Sequence, residues 1–432
     1  MSTAVSVVKF NENSESIKEA VEKCDGLSEL RTDDKVLIKP NLVFWDRVYP
    51  FPKYGVLTTT ILVEEVIKLL KEHGCSNITV GEGSMEFKEL GSSTKEAFDG
   101  LGYSKLEEKY GVELIDFNDG PFTKVDLDGG DISLDVSDHV LNADFIINLP
   151  VLKTHSTTKV SLGLKNLKGC IDTRSKMFCH HDKISLDHFI SKLGKKISPD
   201  LTIIDGIYSL EKGPFINGKA HRTDILVASK DCFGADVVGS EILGFSPEDI
   251  FHLKDYQENY DRSFDEIKIT GEDIEDVKTP LEWDWEWLED NSGPPVFKKL
   301  GVEDLFYPKY DNTLCSGCSF LNNAMLILLL DAYQRGPFQD MEFLSGKRMV
   351  SEGGYDKTVL LGKCAVNLNK DNSKINEKIE IKGCPPTLSK IASTLKENGI
   401  EVKEKAYYQY RKSLFKQYEV DKDKFREGDF LL

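Results

Sequence analysis

Four cysteines in the last third of the chain offer the sharpest chemistry. Cys315-Ser316-Gly317-Cys318 is a C-x-x-C pair; Cys364 follows after a gap of 45 residues in Leu361-Gly362-Lys363-Cys364, and Cys384 after a further 19 in Lys382-Gly383-Cys384-Pro385-Pro386. Four thiolates can hold zinc, an iron-sulfur cluster, or no metal at all. Structural zinc usually draws on two close pairs in a small knuckle, whereas only one pair here is local. Glycine next to Cys318 and Cys384 and close to Cys364, with Pro385 after Cys384, lets backbone crowd a bulky cubane and donate N–H groups to its sulfides. The expectation is a 4Fe-4S cluster on Cys315, Cys318, Cys364 and Cys384, with zinc and plain dithiols as alternatives. Cys24, Cys75, Cys170, Cys179 and Cys232 have no such setting and read as buried small hydrophobes.

A second constellation follows the run Asn148-Leu149-Pro150. From Val151 to Lys183 there are seven Lys or Arg against two Asp, a net of +5 inside a chain of −18. Such an island, with hydroxyls and glycines at a strand end, is what a carboxylate or phosphate needs, because its donors must outweigh the field of the surrounding acids. We read Lys153 and His155 as catalytic candidates and Thr158, Lys165 and Asn166 as substrate-binding ones, in preference to a solvated basic helix face. Lys39 and Asn41 would line the same crevice from the neighbouring strand. Asp205, in Asp205-Gly206, and Glu211, in Glu211-Lys212-Gly213-Pro214, would bring carboxylates to it, either as general bases or as helix caps. His180-His181 reads as surface, since adjacent side chains diverge and do not easily ligate one ion. Gly81-Glu82-Gly83-Ser84 is only a weak approach to a nucleotide fingerprint. No P-loop, dinucleotide motif or G-x-S-x-G elbow is present.

These residues need elements to position them, and the apolar period switches repeatedly between strand-like and helix-like. Val36-Leu37-Ile38 is a short buried strand. Thr58 to Thr60 then offer N-cap hydroxyls to a helix whose stripe is Val63, Val66, Ile67 and Leu70, with Gly74 as the stop. Further strands are expected at 78–80, 145–149, 201–205 and 225–228. The pattern predicts an α/β fold, a mostly parallel sheet of βα units covered by helices, with ligands gathering beyond the carboxyl ends of the strands. A second, smaller α/β module would carry the cysteines. There Cys364 ends the strand 358–361, Cys318 precedes a helix burying Leu321, Ala324, Met325 and Leu328, and Cys384 precedes one burying Leu388, Ile391, Ala392 and Leu395. All four would meet near helix starts, where N–H groups and the helix dipole favour thiolates.

With 432 residues, one hydrophobic core is too few. The expected division is an α/β domain over 1–254, an acidic Trp-rich linker over 255–298 and a cysteine-bearing module over 299–432. In the linker, Glu282-Trp283-Asp284-Trp285-Glu286-Trp287 reads as an edge strand and Asn291-Ser292-Gly293-Pro294-Pro295 as a breaker. The charge of −18 disfavours nucleic acid and anionic lipid. The longest apolar run, Ala324 to Leu330, is too short to span a bilayer, and no export signal opens the chain, so a cytoplasmic protein is expected.

The run Val36-Leu37-Ile38-Lys39-Pro40-Asn41-Leu42, the Gly81-Glu82-Gly83-Ser84 segment, the block from Asn148-Leu149-Pro150 to Gly169 and Asp205-Gly206…Gly213-Pro214 together resemble the family called Domain of Unknown Function 362, over most of Lys35 to about Leu243. Members are often associated with iron-sulfur centres, so the resemblance implies a redox setting. This chain lacks the ferredoxin appendage with its eight close cysteines, and its own four imply a single cluster. The leading expectation is an iron-sulfur oxidoreductase of anaerobic metabolism, passing electrons to a small anionic substrate or bound cofactor, with a redox partner such as ferredoxin; a homo-oligomer is compatible with this. Two alternatives stand beside it: a lyase or dehydratase with an open iron site, and a non-catalytic electron carrier or assembly partner.

Overall fold

Val36-Leu37-Ile38 and the stripe that follows it fold as a βα unit. In the computed structural model, which describes residues 3–11, 14–127, 129, 132–213 and 217–431, the strand runs Val36–Pro40 and the helix Thr60–His73, with Val63, Val66, Ile67 and Leu70 buried. Gly74 ends the helix at φ 98°, a left-handed conformation that costs a residue without Cβ little. The threonines act differently from expectation: Thr59 is the N-cap residue, yet its side chain makes no capping bond to the helix.

The chain divides into two units, the first comprising Met1–Lys176, Leu186–Asp284 and Gln417–Leu432, the second Met177–Ser185 and Trp285–Lys416. The first contains strands β1 (Thr3–Lys9), β2 (Val36–Pro40), β3 (Ile78–Glu82), β4 (Glu113–Asp116), β5 (Phe122–Asp126), β6 (Ser133–Ser137), β7 (Phe145–Leu149), β8 (Val151–His155), β9 (Lys159–Ser161), β10 (Leu201–Glu211), β11 (Lys219–Ser229) and β12 (Ile267–Gly271). Ten of these form one sheet in the order β12-β1-β11-β10-β7-β2-β3-β4, with β8 on β10 and β9 on β8, while β5 and β6 pair separately. From β10 to β4 the neighbours are parallel, as the buried apolar runs require. The other half departs from βα succession, because β11 is antiparallel to both β10 and β1. The strand expected at 201–205 therefore continues to Glu211, bending at a register shift between Gly206 and Tyr208. At Gly206 a Cβ would stand 2.6 Å from the Ile225 carbonyl oxygen, so only glycine allows that close approach.

In the second unit β13 (Leu305–Phe306), β14 (Met341–Ser345), β15 (Lys357–Leu361) and β16 (Glu377–Ile381) form a parallel sheet in sequence order. The helix Ser316–Tyr333 buries Leu321, Ala324, Met325 and Leu328, and the helix Leu388–Glu397 buries Leu388, Ile391, Ala392 and Leu395, the two predicted faces. Tyr307 and Phe343 stack at 4.3 Å in its interior. Among the described residues no helix is long and apolar enough to cross a membrane.

The stretch 255–298 does not act as one linker. Its first part supplies β12, paired with β1, and the chain leaves the first unit only at Asp284. Glu282–Trp287 forms no strand. Within the second unit, Trp287 instead donates its indole N–H to the Tyr307 carbonyl at 2.8 Å, beneath the Lys309 ammonium 5.8 Å from its ring. Residues 417–432, expected in the cysteine module, belong to the first unit. There Tyr54 is ringed by Tyr208, Tyr418, Phe425 and Phe430 at 5.1 to 5.7 Å, and Asp429 accepts from Tyr208 and Arg222 at 2.7 and 2.8 Å.

Phe430 is fully buried in this cluster. Phe430→Ala should cost about 3–5 kcal/mol of stability by urea denaturation; a loss below about 1 kcal/mol would show that the closing segment does not hold the first unit together.

Candidate functional site

Parallel pairing sets the carboxyl ends of β2, β3 and β7 side by side and brings Lys39 and Glu82 into contact. Lys39, opposite Asn148 in the β2–β7 register, donates from Nζ to Glu82 Oε2 at 2.9 Å, to the Pro40 carbonyl at 3.0 Å and to Asn166 Oδ1 at 3.2 Å. Glu82 also accepts the N–H groups of Leu42 and Gly83 at 3.0 and 2.8 Å. Both partners of this ion pair are buried, and charges so placed persist only when paired and hydrogen-bonded. Gly169 packs directly on them: a Cβ there would stand 2.0 Å from Glu82 Oε1 and 2.7 Å from Lys39 Nζ.

The network runs on through amides. Asn166 Oδ1 accepts from Asn41 Nδ2 at 2.8 Å, and Asn166 Nδ2 donates to Asn148 Oδ1 at 2.8 Å. Asn41 Oδ1 in turn accepts from Lys153 Nζ at 2.6 Å, and Lys153 donates again to the Val56 carbonyl at 2.9 Å. The short helix Gly163–Asn166 that presents Lys165 and Asn166 is fixed by buried Asp236, which accepts the N–H groups of Gly163 and Leu164 at 2.6 and 2.9 Å. Burial pushes the Asp236 carboxyl up to about 8. The structure therefore unites Lys39, Asn41, Lys153 and Asn166 among the predicted residues and adds Glu82, Asn148 and Asp236.

Two ammoniums share one carboxylate here. Lys39 has it; Lys153 has only neutral acceptors, two for three N–H groups. Burial pulls the Lys153 ammonium down to about 7, with Glu82 opposing and Lys39 reinforcing. Lys176, which donates to the Gly83 carbonyl at 2.7 Å and Asn118 Oδ1 at 3.1 Å, is drawn down to about 8 by burial. Lys165 falls well below the ordinary lysine range through burial and the nearby Lys168 and Lys153 charges. The basic stretch is thus not one uniformly solvated helix face: Lys153 is buried, Lys165 and Lys176 are half-buried, and Arg174 and Lys183 are exposed.

The remaining candidates stand elsewhere. His155 Nδ1 accepts the N–H groups of Thr157 and Thr158 at 3.0 and 3.4 Å, which puts the ring proton on Nε2, and Thr158 Oγ1 donates to the Val160 carbonyl at 2.8 Å. Both are held in the β8–β9 turn. Asp205 accepts the Thr59 N–H at 2.7 Å, the Thr59 hydroxyl at 2.8 Å and the Ile207 N–H at 3.1 Å. Of the two expected roles, these contacts favour the cap: Asp205 fastens the start of helix Thr60–His73. Burial raises its carboxyl to about 6. Glu211 does not reach the lysine network. Leu210 pairs with Lys153, so side-chain alternation sends Glu211 to the opposite face, where it accepts from His221 at 3.2 Å and the Glu282 N–H at 3.0 Å. Against the upward pull of burial, these partners hold its carboxyl below the usual range. Pro214 lies outside the described residues.

In the second unit Cys315 is the N-cap residue of helix Ser316–Tyr333 and Cys318 lies in its first turn. Cys364 sits in helix Gly362–Leu368 rather than ending β15, and Cys384 lies between β16 and the helix that begins at Leu388. Cys24, Cys75, Cys170, Cys179 and Cys232 are buried, whereas the four candidates are half-buried or exposed. A hydrogen bond with Cys315, burial, and the charges of Cys315, Cys364 and Cys384 push the Cys318 thiol up; burial raises Cys364, with Lys347 opposing and Cys315 and Cys384 adding. The thiols thus lie within electrostatic reach of one another. Gly362 keeps space beside Cys318, since a Cβ there would be 3.1 Å from its sulfur. Cys384 Sγ is 3.9 Å from Met177 Sδ. Among the described residues no three His, Cys, Asp or Glu side chains are gathered as a single metal ion would require, and this includes His180 and His181.

Residues 36–241 match the family described as Domain of unknown function (DUF362), the segment that contains the whole lysine network. Over 240 residues the chain is 29% identical to the Thylakoid-associated protein sll1697 of Synechocystis sp., an alignment covering 54% of this chain and 71% of that protein. A likeness in fold to the lactate racemase apoprotein from Thermoanaerobacterium thermosaccharolyticum has a TM-score of 0.36 at 15% identity and covers 56% of this chain and 57% of that one.

The depressed Lys153 ammonium has a consequence for stability. With about 7 in the folded chain against 10.5 unfolded, the unfolded chain holds the extra proton between these values, so stability should rise with pH across that window, and the full penalty is present below pH 7. Lys153→Met should flatten this rise in urea midpoints measured between pH 6 and 9. An unchanged rise would mean that Lys153 is not the group responsible.

Proposed function

We propose that this chain, whose residues 36–241 form a DUF362 segment, is an iron-sulfur oxidoreductase of anaerobic, cytoplasmic metabolism that acts on a small anionic substrate. The observation that carries the substrate reading is Lys153: a buried ammonium with neutral acceptors and an uncommitted N–H, joined through Asn41 and Asn166 to the buried Lys39–Glu82 pair. A carboxylate or phosphate oxygen bonded to it would supply the missing counter-charge, a charge-assisted bond of the stronger kind. Asn41 and Asn166 keep the ammonium fixed through the amide chain. Near pH 7 Lys153 can also give up or take a proton at Nζ, as an acid-base group must.

The cofactor reading rests on the donor set. Cys315, Cys318, Cys364 and Cys384 would hold a 4Fe-4S cluster, which when bound supplies single-electron transfer. Four cysteines within electrostatic reach of one another, two exposed and two half-buried, support a shared anionic group. Four ligands for four irons favour electron transfer over dehydration at an open iron.

Anaerobic purification should give about four irons and four sulfides per chain, with an electron paramagnetic resonance signal on reduction. Cys364→Ala should lose or alter the signal together with electron transfer. Stoichiometric zinc without sulfide, or full activity in Cys364→Ala, would reject the cluster as drawn. Small-carboxylate or phosphate binding should weaken as pH rises through 7 and vanish in Lys153→Met; pH-independent binding would place the anion elsewhere.

A further inference from the structure

The second unit carries its candidate cysteines on segments that are tied to one another. The Lys363 N–H, beside Cys364, donates to the carbonyl of Gly383, beside Cys384, at 2.8 Å. A Cβ at Gly362 would stand 3.1 Å from the Cys318 sulfur, and one at Gly317, inside the C-x-x-C pair, 3.0 Å from Pro385. The turn that follows β14 joins the same group. There the Lys347 N–H donates to Thr313 Oγ1 at 3.0 Å, two residues ahead of Cys315, and the Arg348 N–H to Asp311 Oδ2 at 3.1 Å.

One further stretch reaches this site from far away in sequence. Residues 177–185 belong to the second unit, although the chain on either side of them belongs to the first. Met177 Sδ is 3.9 Å from Cys384 Sγ. Two cations of the β14 turn hold the stretch by its carbonyls. The Lys347 ammonium donates to the His180 carbonyl and lies 3.5 Å from that of Met177, and Arg348 Nε donates to the Asp182 carbonyl at 2.8 Å. These carbonyls are the only partners of the Lys347 ammonium among the described residues, and the Asp311 carboxylate is taken up by Thr313 and the Arg348 amide. Neutral acceptors orient an ammonium but leave its charge uncancelled, free to act on a nearby anion. The same charge opposes the rise of the Cys364 thiol.

We infer that Lys347 is a positioning residue of the cysteine site, one that seats residues 177–180 against Cys384 and sets an uncancelled positive charge beside Cys364 and Cys384. This rests on the cluster reading above and extends it. Four thiolates and their irons make an anionic group whose charge grows when an electron enters, and the potentials of such groups follow net charge, hydrogen bonding and solvent exposure. The ammonium therefore favours the reduced form, while the Met177 thioether takes the place of water on one side of the Cys384 sulfur.

Hydrogen exchange on the metal-free full chain, and a redox titration of the loaded chain followed by electron paramagnetic resonance, test this. In Lys347→Met, amide exchange in a peptide spanning 177–185 should quicken about fivefold or more, as loss of a charged donor implies, and the midpoint potential should shift downward. Lys347→Arg should hold both near their wild-type values. Met177→Ala, which leaves Lys347 intact, should raise the alkylation rate of Cys384 in the metal-free chain several-fold. Unchanged exchange in Lys347→Met, or an unchanged alkylation rate in Met177→Ala, would overturn the inference. If a cluster forms whose potential is the same in Lys347→Met as in the wild type, this inference alone fails. If the chain takes up no iron and sulfide, the cluster reading fails and takes this one with it.

Discussion

The Lys39–Glu82 pair is the constraint on which the first unit's polar interior depends. Two opposite charges 2.9 Å apart, almost without solvent, sit at the ends of adjacent parallel strands. Such a pair gains little over apolar packing, because desolvation offsets most of the attraction. Once present, though, it must be completed: the Leu42 and Gly83 amides, the Asn166 carboxamide and the close backbone at Gly169 are all arranged to do so. The Asn41, Asn148 and Asn166 amides then carry the order outward to Lys153. A polar network this well satisfied is rigid, and a rigid network with one cation left without a counter-ion is suited to recognition.

Much of this was legible in the residues, for physical reasons. Val36–Pro40 and Thr60–His73 follow from a short β-branched run and a 3.6-period stripe closed by Gly74, and both cysteine-module helices follow from their apolar spacing. Lys39, Asn41, Lys153 and Asn166 stood out as cations and amides at strand ends. Glu82 did not, because a glutamate between glycines resembles part of a nucleotide motif, and its partner lies 43 residues away. Asp205 looked as much like a base as a cap, since its contacts to Thr59 span 146 residues. Glu211 is hidden from a local reading, because the apolar run ends at Asp205 while β10 continues for six more residues, and those residues set which face Glu211 occupies.

The cysteines divide along the line that their neighbours had drawn. Five lie buried, as small apolar side chains do, and the four near glycine and proline at element boundaries remain accessible. Spacing alone could place Cys315 and Cys318 at the start of one helix and Cys384 ahead of another. It could not show how closely they approach, because the loops that carry them set that distance.

Residues 417–432 complete the first unit after the whole of the second has been passed through. Asp429 and Phe430 close around Tyr54, Tyr208 and Arg222 only when the final stretch is available. During synthesis part of the aromatic surface around Tyr54 and Tyr208 therefore stays uncovered until residues 417–432, which come after the second unit in the chain, have been made.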